Sequence, residues 1–198
     1  MCFQRLIQKT PIVIFLFFSL IILYIDINYF YQNPFEDWTL KENNMKTLIM
    51  LSAIPASGKS TWAKEYQRTH PNTYIVSSDD IRVEICGTYQ DHSRQAEVWA
   101  LFEKRIHEYG ARENATVILD ALNDVNPVRL KYLKGATEFD KKILVLFPST
   151  LEKSQKYNGQ REEEVRVPPD ILIGLFNKFE APNQEVLDLV DEVIEVNW

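Results

Sequence analysis

Leu48-Ile49-Met50-Leu51-Ser52-Ala53-Ile54-Pro55-Ala56-Ser57-Gly58-Lys59-Ser60-Thr61 is the stretch that decides the fold. An apolar, β-prone run enters a loop of small residues, passes Gly-Lys-Ser-Thr and continues into Trp62-Ala63-Lys64-Glu65-Tyr66, which reads as helix. A phosphate-binding loop requires strand, loop and helix in that order. The amide N–H groups of Ser57 to Ser60 then face a concavity at a helix N-terminus, where the partial positive charge favours phosphate. Ala56, Ser57, Gly58, Lys59, Ser60 and Thr61 are thus the expected nucleotide-binding residues. Lys59 is placed to reach the β- and γ-phosphates, and the Ser60 hydroxyl to ligate Mg²⁺. The strict pattern opens with glycine where this chain has Ala53. A methyl there is tolerated if φ stays negative and is awkward if the turn needs φ > 0. An ordinary turn before a helix would explain Gly58, but not Lys59 and Ser60 behind it.

The chain has 198 residues, 45% hydrophobic and 25% charged, enough for one well-packed domain. Its net charge of −6 leaves no broad cationic face for long duplex nucleic acid, so any such contact must be local. Cys2 and Cys86 make neither a metal spacing nor a disulfide framework, which fits a reducing compartment. His70, His92 and His107 lie far apart and read as surface or packing residues.

Residues Ile12 to Ile25 are almost uninterrupted apolar, flanked by Arg5 and Lys9 on one side and Asp26 on the other. The run is short for a bilayer span unless Asn28-Tyr29-Phe30-Tyr31 supply an interfacial aromatic end. A signal anchor of this polarity would export the rest of the chain, away from ATP, in conflict with the phosphate loop. Two readings stay open. In one, residues 1–44 are an upstream extension and a cytoplasmic phosphate-loop domain occupies 45–198, starting at Met45. In the other, residues 1–44 tether that domain to a membrane.

From Met45 onward strands and helices alternate, which argues for an α/β fold with a mostly parallel sheet between helical layers. Strands are expected at Thr47–Ser52, Thr73–Ser77, Thr116–Leu119, Lys142–Phe147 and Asp191–Val196. Helices are expected from Ser60 to about Arg68, from near Asp80 to a break at Gly87, and from about Arg94 to Arg112. Others run from Asn126-Pro127 to about Thr137, from Thr150 to Asn158, and onward from Pro168-Pro169. The third helix should bury Ala96, Trp99, Phe102, Ile106 and Tyr109, which recur at helical spacing.

Two polar clusters fall where strands end: Ser77-Ser78-Asp79-Asp80-Ile81-Arg82 and Asp120-Ala121-Leu122-Asn123. Ligands of open parallel sheets bind beyond the carboxyl ends of the strands, so both clusters should face the phosphate loop. A carboxylate there can take the proton of an attacking hydroxyl or hold a magnesium water shell. Arg82 shares a helical face with Asp79 and can grip a second phosphate. One of Asp79 and Asp80 is expected to cap the helix, leaving the other for chemistry. Arg161 lies in the polar stretch Gly159-Gln160-Arg161-Glu162-Glu163-Glu164-Val165-Arg166 between two helices. A mobile lid belongs there, and a cation closing over the phosphates stabilises charge in the transition state. The three glutamates beside it equally suit a solvated loop.

These residues resemble the kinase domain of bacteriophage-type polynucleotide 5′-kinases and related small P-loop kinases of the AAA-like group. The resemblance is carried by IPASGKSTWAKEY, SSDDIR, Asp91-His92-Ser93-Arg94, VILDALN, Asn158-Gly159-Gln160-Arg161 with Arg166-Val167-Pro168, and Phe179-Glu180-Ala181-Pro182. It covers Met45 to Pro182. It implies a P-loop kinase-like three-layer sandwich with a small lid. It further implies Asp79 as general base for the acceptor 5′-hydroxyl, Arg82 on the acceptor's phosphate, Asp120 supporting the acceptor side, and Arg161 on a lid over the transferring group. Ala53 and Ala56 depart from the family's glycines, Tyr157 stands where another arginine is common, and one residue is added between Asp120 and Asn126. No Asp-x-Asp-Gly-Thr motif occurs, so the phosphatase half of bifunctional relatives is not expected.

The leading expectation is an ATP- and Mg²⁺-dependent kinase acting on the 5′-OH of a polynucleotide, with Trp99 or Tyr89 available to stack a base. A kinase of a small hydroxyl acceptor, a nucleoside or metabolite, is the second, favoured by the acidic charge. A non-catalytic nucleotide-binding module is the third, but it would have no use for Asp79, Arg82 and Arg161 together.

Overall fold

In the computed structural model, which describes residues 45–196, β1 (Thr47–Ser52) is the central strand of a parallel sheet. It lies between β3 (Thr116–Asp120) and β4 (Lys141–Leu146), with β2 (Thr73–Ser77) and β5 (Glu192–Glu195) at the edges. All four pairings are parallel. The expected extension or anchor over residues 1–44 lies outside the described residues. Among those described, no helix is long and apolar enough to cross a membrane.

Leu48 to Leu51 are all buried, the continuous apolar run of a parallel strand covered on both faces. Alternation then divides the core in two. Leu48, Met50, Val117 and Leu119 pack with Val98, Phe102, Ile106 and Leu133. These come from α3 (Gln95–Gly110) and α4 (Asn126–Gly135). Ile49, Leu51, Ile118 and Val145 pack on the other side with Ala63, Trp62 and Tyr66 of α1 (Lys59–Thr69). Helix, sheet and helix make the three layers.

The remaining elements are α2 (Ser78–Cys86), α5 (Leu151–Gly159), α6 (Pro169–Lys178) and α7 (Gln184–Leu187), with a 3₁₀ turn at Glu163–Val165. Gly87, at φ 83°, ends α2 in the left-handed conformation that a glycine adopts without strain. Two expectations need correction. On α3 the buried stripe is Val98, Phe102 and Ile106, while Ala96 is exposed and Trp99 and Tyr109 are half-buried. The helix packs on the sheet through Val98, Phe102 and Ile106, and Trp99 and Tyr109 flank that stripe. At the start of α2 neither aspartate caps, because the Ser77 side chain accepts the Asp80 N–H at 3.1 Å. The helix begins earlier than the aspartate pair suggests, and both carboxylates fall in its first turn.

Candidate active site

The loop after β1 is tied to the loop after β3. Ala53 N–H donates to the Leu122 carbonyl at 3.0 Å, the Ser52 hydroxyl to the Asn123 carbonyl at 2.8 Å, and the Asn123 amide to the Leu51 carbonyl at 2.7 Å. Ala53 is fully buried and stays out of the left-handed region, so its methyl is accommodated. Within the loop after β1 the left-handed residues are Ala56, at φ 61°, and Gly58, at φ 87°. Gly58 is the N-cap of α1, and no side chain caps the amides beyond it. The Ser57 hydroxyl is buried with no hydrogen-bond partner among the described residues. Uncapped amides beside an unpartnered hydroxyl fit an anionic, oxygen-rich ligand.

Lys59 is buried, with Nζ 3.5 Å from Asp120 Oδ1. That oxygen has no hydrogen bond among the described residues. Asp120 ends β3 and is the register partner of Ser77 at the end of β2, so the next cluster begins beside it. There Asp79, more than half exposed, accepts a 2.6 Å bond from Arg82 Nη1. Arg82 is buried, and its Nε has no partner among the described residues.

Residues 56–61 line a cavity of about 360 Å³ together with Lys153, Tyr157 and Arg161. Those three recur every four residues along α5 and just past its end, which brings them to one face. The segment behind Arg161 is closed on itself. Asn158 donates to the Val167 carbonyl at 2.7 Å and accepts the Val167 N–H at 3.0 Å. Within that span Arg161 Nη1 bonds the Val165 carbonyl at 3.2 Å, and Arg166 Nη2 the Arg161 carbonyl at 2.8 Å. Ala56 to Thr61 and Arg161 thus surround one space. Asp79, Arg82 and Asp120 do not line it; Asp120 joins it through Lys59, and the Asp79–Arg82 pair sits at the neighbouring strand end.

Sequence reasoning did not place Lys153 or Tyr157 at the cavity, although their spacing with Arg161 was readable. It missed Arg129 altogether. This fully buried guanidinium donates to Ser52 Oγ at 3.1 Å and to the carbonyls of Asp124 and Glu180 at 3.1 and 2.7 Å. It also bonds Asn126 Oδ1 at 2.9 Å. Burial pushes its pKa down, while the charges of Asp124 and Glu180 pull it back up. It braces the base of the phosphate loop from below.

Residues 48–182, more than half of the chain, match the family model described as AAA domain. The chain belongs to this family of P-loop kinases. The chain is 27% identical to the zebrafish (Danio rerio) protein KTI12 homolog over 143 residues, 69% of this chain and 51% of that protein. The chain therefore spans about half the length of that curated relative. Among solved structures it is similar to a chain in the structure of the Pnkp1/Rnl/Hen1 RNA repair complex. The TM-score is 0.61 and the identity 24%, covering 75% of this chain and 47% of that one. It is also similar to the crystal structure of a fungal RNA kinase, with TM-score 0.55 and 15% identity, covering 78% and 75% of the two chains. At these identities the likeness is one of fold: a P-loop kinase-like α/β domain.

Proposed function

We propose that this protein is an ATP-dependent kinase that transfers the γ-phosphoryl group to a hydroxyl, with the 5′-OH of a polynucleotide as acceptor. The observation that carries this reading is the Lys59–Asp120 contact. It joins an uncapped phosphate loop to the end of β3, beside the end of β2, after which Asp79 and a half-satisfied Arg82 are paired. The amides of the loop and Lys59 hold the phosphate chain, and Arg161, across the cavity, neutralises charge on the group in transit. Asp79 takes the acceptor's proton; its contact with Arg82 fixes the carboxylate in the helix's first turn. The free Nε of Arg82 suits an acceptor phosphate, which a polynucleotide end carries and a simple sugar lacks. The Ser60 hydroxyl would hold Mg²⁺, which would supply positive charge to offset that of the phosphates.

Support for the acceptor comes from the likeness to an RNA kinase and to a component of an RNA repair complex, carried over here as a proposal. The acidic net charge favours a small hydroxyl acceptor as the second reading. The test is transfer of label from γ-labelled ATP by the full chain to a panel of 5′-OH RNA, 5′-OH DNA, nucleosides and sugars. Labelled oligonucleotide ends support the proposal. Label on a nucleoside or sugar alone overturns the polynucleotide acceptor, and no label on any member overturns the kinase.

A further inference from the structure

Two segments meet through the side chain of Gln90. One is the loop 87–94, which leaves the helix that carries Asp79 and Arg82. The other is the segment 160–167, which carries Arg161. Each is organised on its own. In the first, Arg94 Nη1 bonds the Ile85 carbonyl at 2.8 Å, and Asp91 Oδ1 accepts the Ser93 N–H at 2.8 Å. In the second, Asn158 pairs with the Val167 backbone. The carboxamide of Gln90 spans them, with Nε2 donating to the Glu164 carbonyl at 3.1 Å and to the Arg166 carbonyl at 3.0 Å. Those carbonyls flank Val165, whose own carbonyl holds Arg161 Nη1. Gln90 therefore grips the backbone on both sides of the point where Arg161 rests.

We infer that Gln90 is a positioning residue, a latch from the acceptor-side loop to the lid that sets where Arg161 stands. The inference rests on the kinase reading above for its catalytic consequence, but not for the latch itself. Gln90 is exposed, and a hydrogen bond open to water contributes little net free energy. Such a bond can be made and broken within a turnover, which suits a lid that must open for nucleotide and close for transfer. Because the latch starts from the loop behind Asp79 and Arg82, an acceptor that shifts this loop also shifts the lid. Docking on one side and Arg161 placement on the other then become one event.

The test uses the full chain with Gln90→Ala and with Gln90→Glu, which keeps the shape of the side chain but replaces its donor by an oxygen. Amide hydrogen exchange over residues 160–167 is expected to quicken about fivefold in both variants, with the thermal midpoint unchanged. In turnover, kcat is expected to fall about fivefold with the KM for ATP unmoved, and no further fall is expected when Gln90→Ala is added to Arg161→Ala. Unchanged lid exchange overturns the latch, as does a loss that adds in full to that of Arg161→Ala. Absence of phosphoryl transfer by the unmodified chain would defeat the kinase reading, while the exchange measurement would still decide the latch.

Discussion

Ala56 holds a left-handed φ of 61° with a methyl group attached, where most phosphate loops would use glycine. Replacing it with glycine should raise stability by about 1 kcal/mol, read as a higher thermal midpoint. Ala53→Gly should do the opposite, since its buried methyl sits in an ordinary backbone conformation. The sequence marked Ala53 as the awkward position because it departs from the motif's first glycine. The strain falls at Ala56 instead, since the Ala53–Leu122 bond fixes the entry to the loop and the sharp turn comes later. That bond joins segments far apart in the chain and has no local signal. The Asp79/Asp80 choice failed for a related reason: Ser77 looked like the end of a strand, and it serves as both strand end and cap. At the proposed centre, Asp79→Asn should lower kcat about 10²- to 10⁴-fold and leave nucleotide affinity intact, checked by single-turnover kinetics and calorimetry.

The elements carry their own consequences. α4 begins where Asn126-Pro127 announces it, yet Arg129 in its first turn reads as a solvated residue on a short helix. Its acceptors come from Asp124, Ser52 and Glu180, spread over the chain, so only the fold reveals the hub. Arg129→Ala should cost about 3 kcal/mol by leaving those groups unpaired, measurable as a lower denaturant midpoint. The same helix carries Tyr132, whose phenol is pushed up to about 12 by burial, with the Glu103 charge adding to it. The unfolded chain releases this proton near the ordinary tyrosine value, while the folded chain keeps it. Stability from this group is therefore full below about pH 10 and is lost as pH rises toward 12. Urea midpoints across that window should fall more steeply for the unmodified protein than for Tyr132→Phe. On α5 the Lys153, Tyr157 and Arg161 spacing was legible as a face. The space it looks onto became clear only once β4 was paired beside β1, which comes from the sheet order.

At the scale of the molecule, the parallel sheet was the most readable feature. Buried strands run apolar without alternation, and the helices between them show a different period. Strand order was not readable, because periodicity says nothing of neighbours; β1 at the centre comes from its register with Thr116 and Lys141. The short α7 and the 3₁₀ turn at Glu163–Val165 have too few residues for a period. With a net charge of −6, a polynucleotide acceptor must be held through a few local cations rather than a broad field. Its KM should climb with added salt, whereas that of a neutral nucleoside should stay flat, as steady-state assays over an ionic-strength series would show.

Every proposed step begins with the phosphate chain held by residues 56–61, so calorimetric titration of the folded protein with Mg·ATP is the decisive measurement. Saturable heat is expected with the unmodified chain, together with its loss in Lys59→Met at a temperature where circular dichroism shows that variant folded. Absence of heat from the unmodified, folded chain would contradict nucleotide binding at this loop and the kinase built upon it.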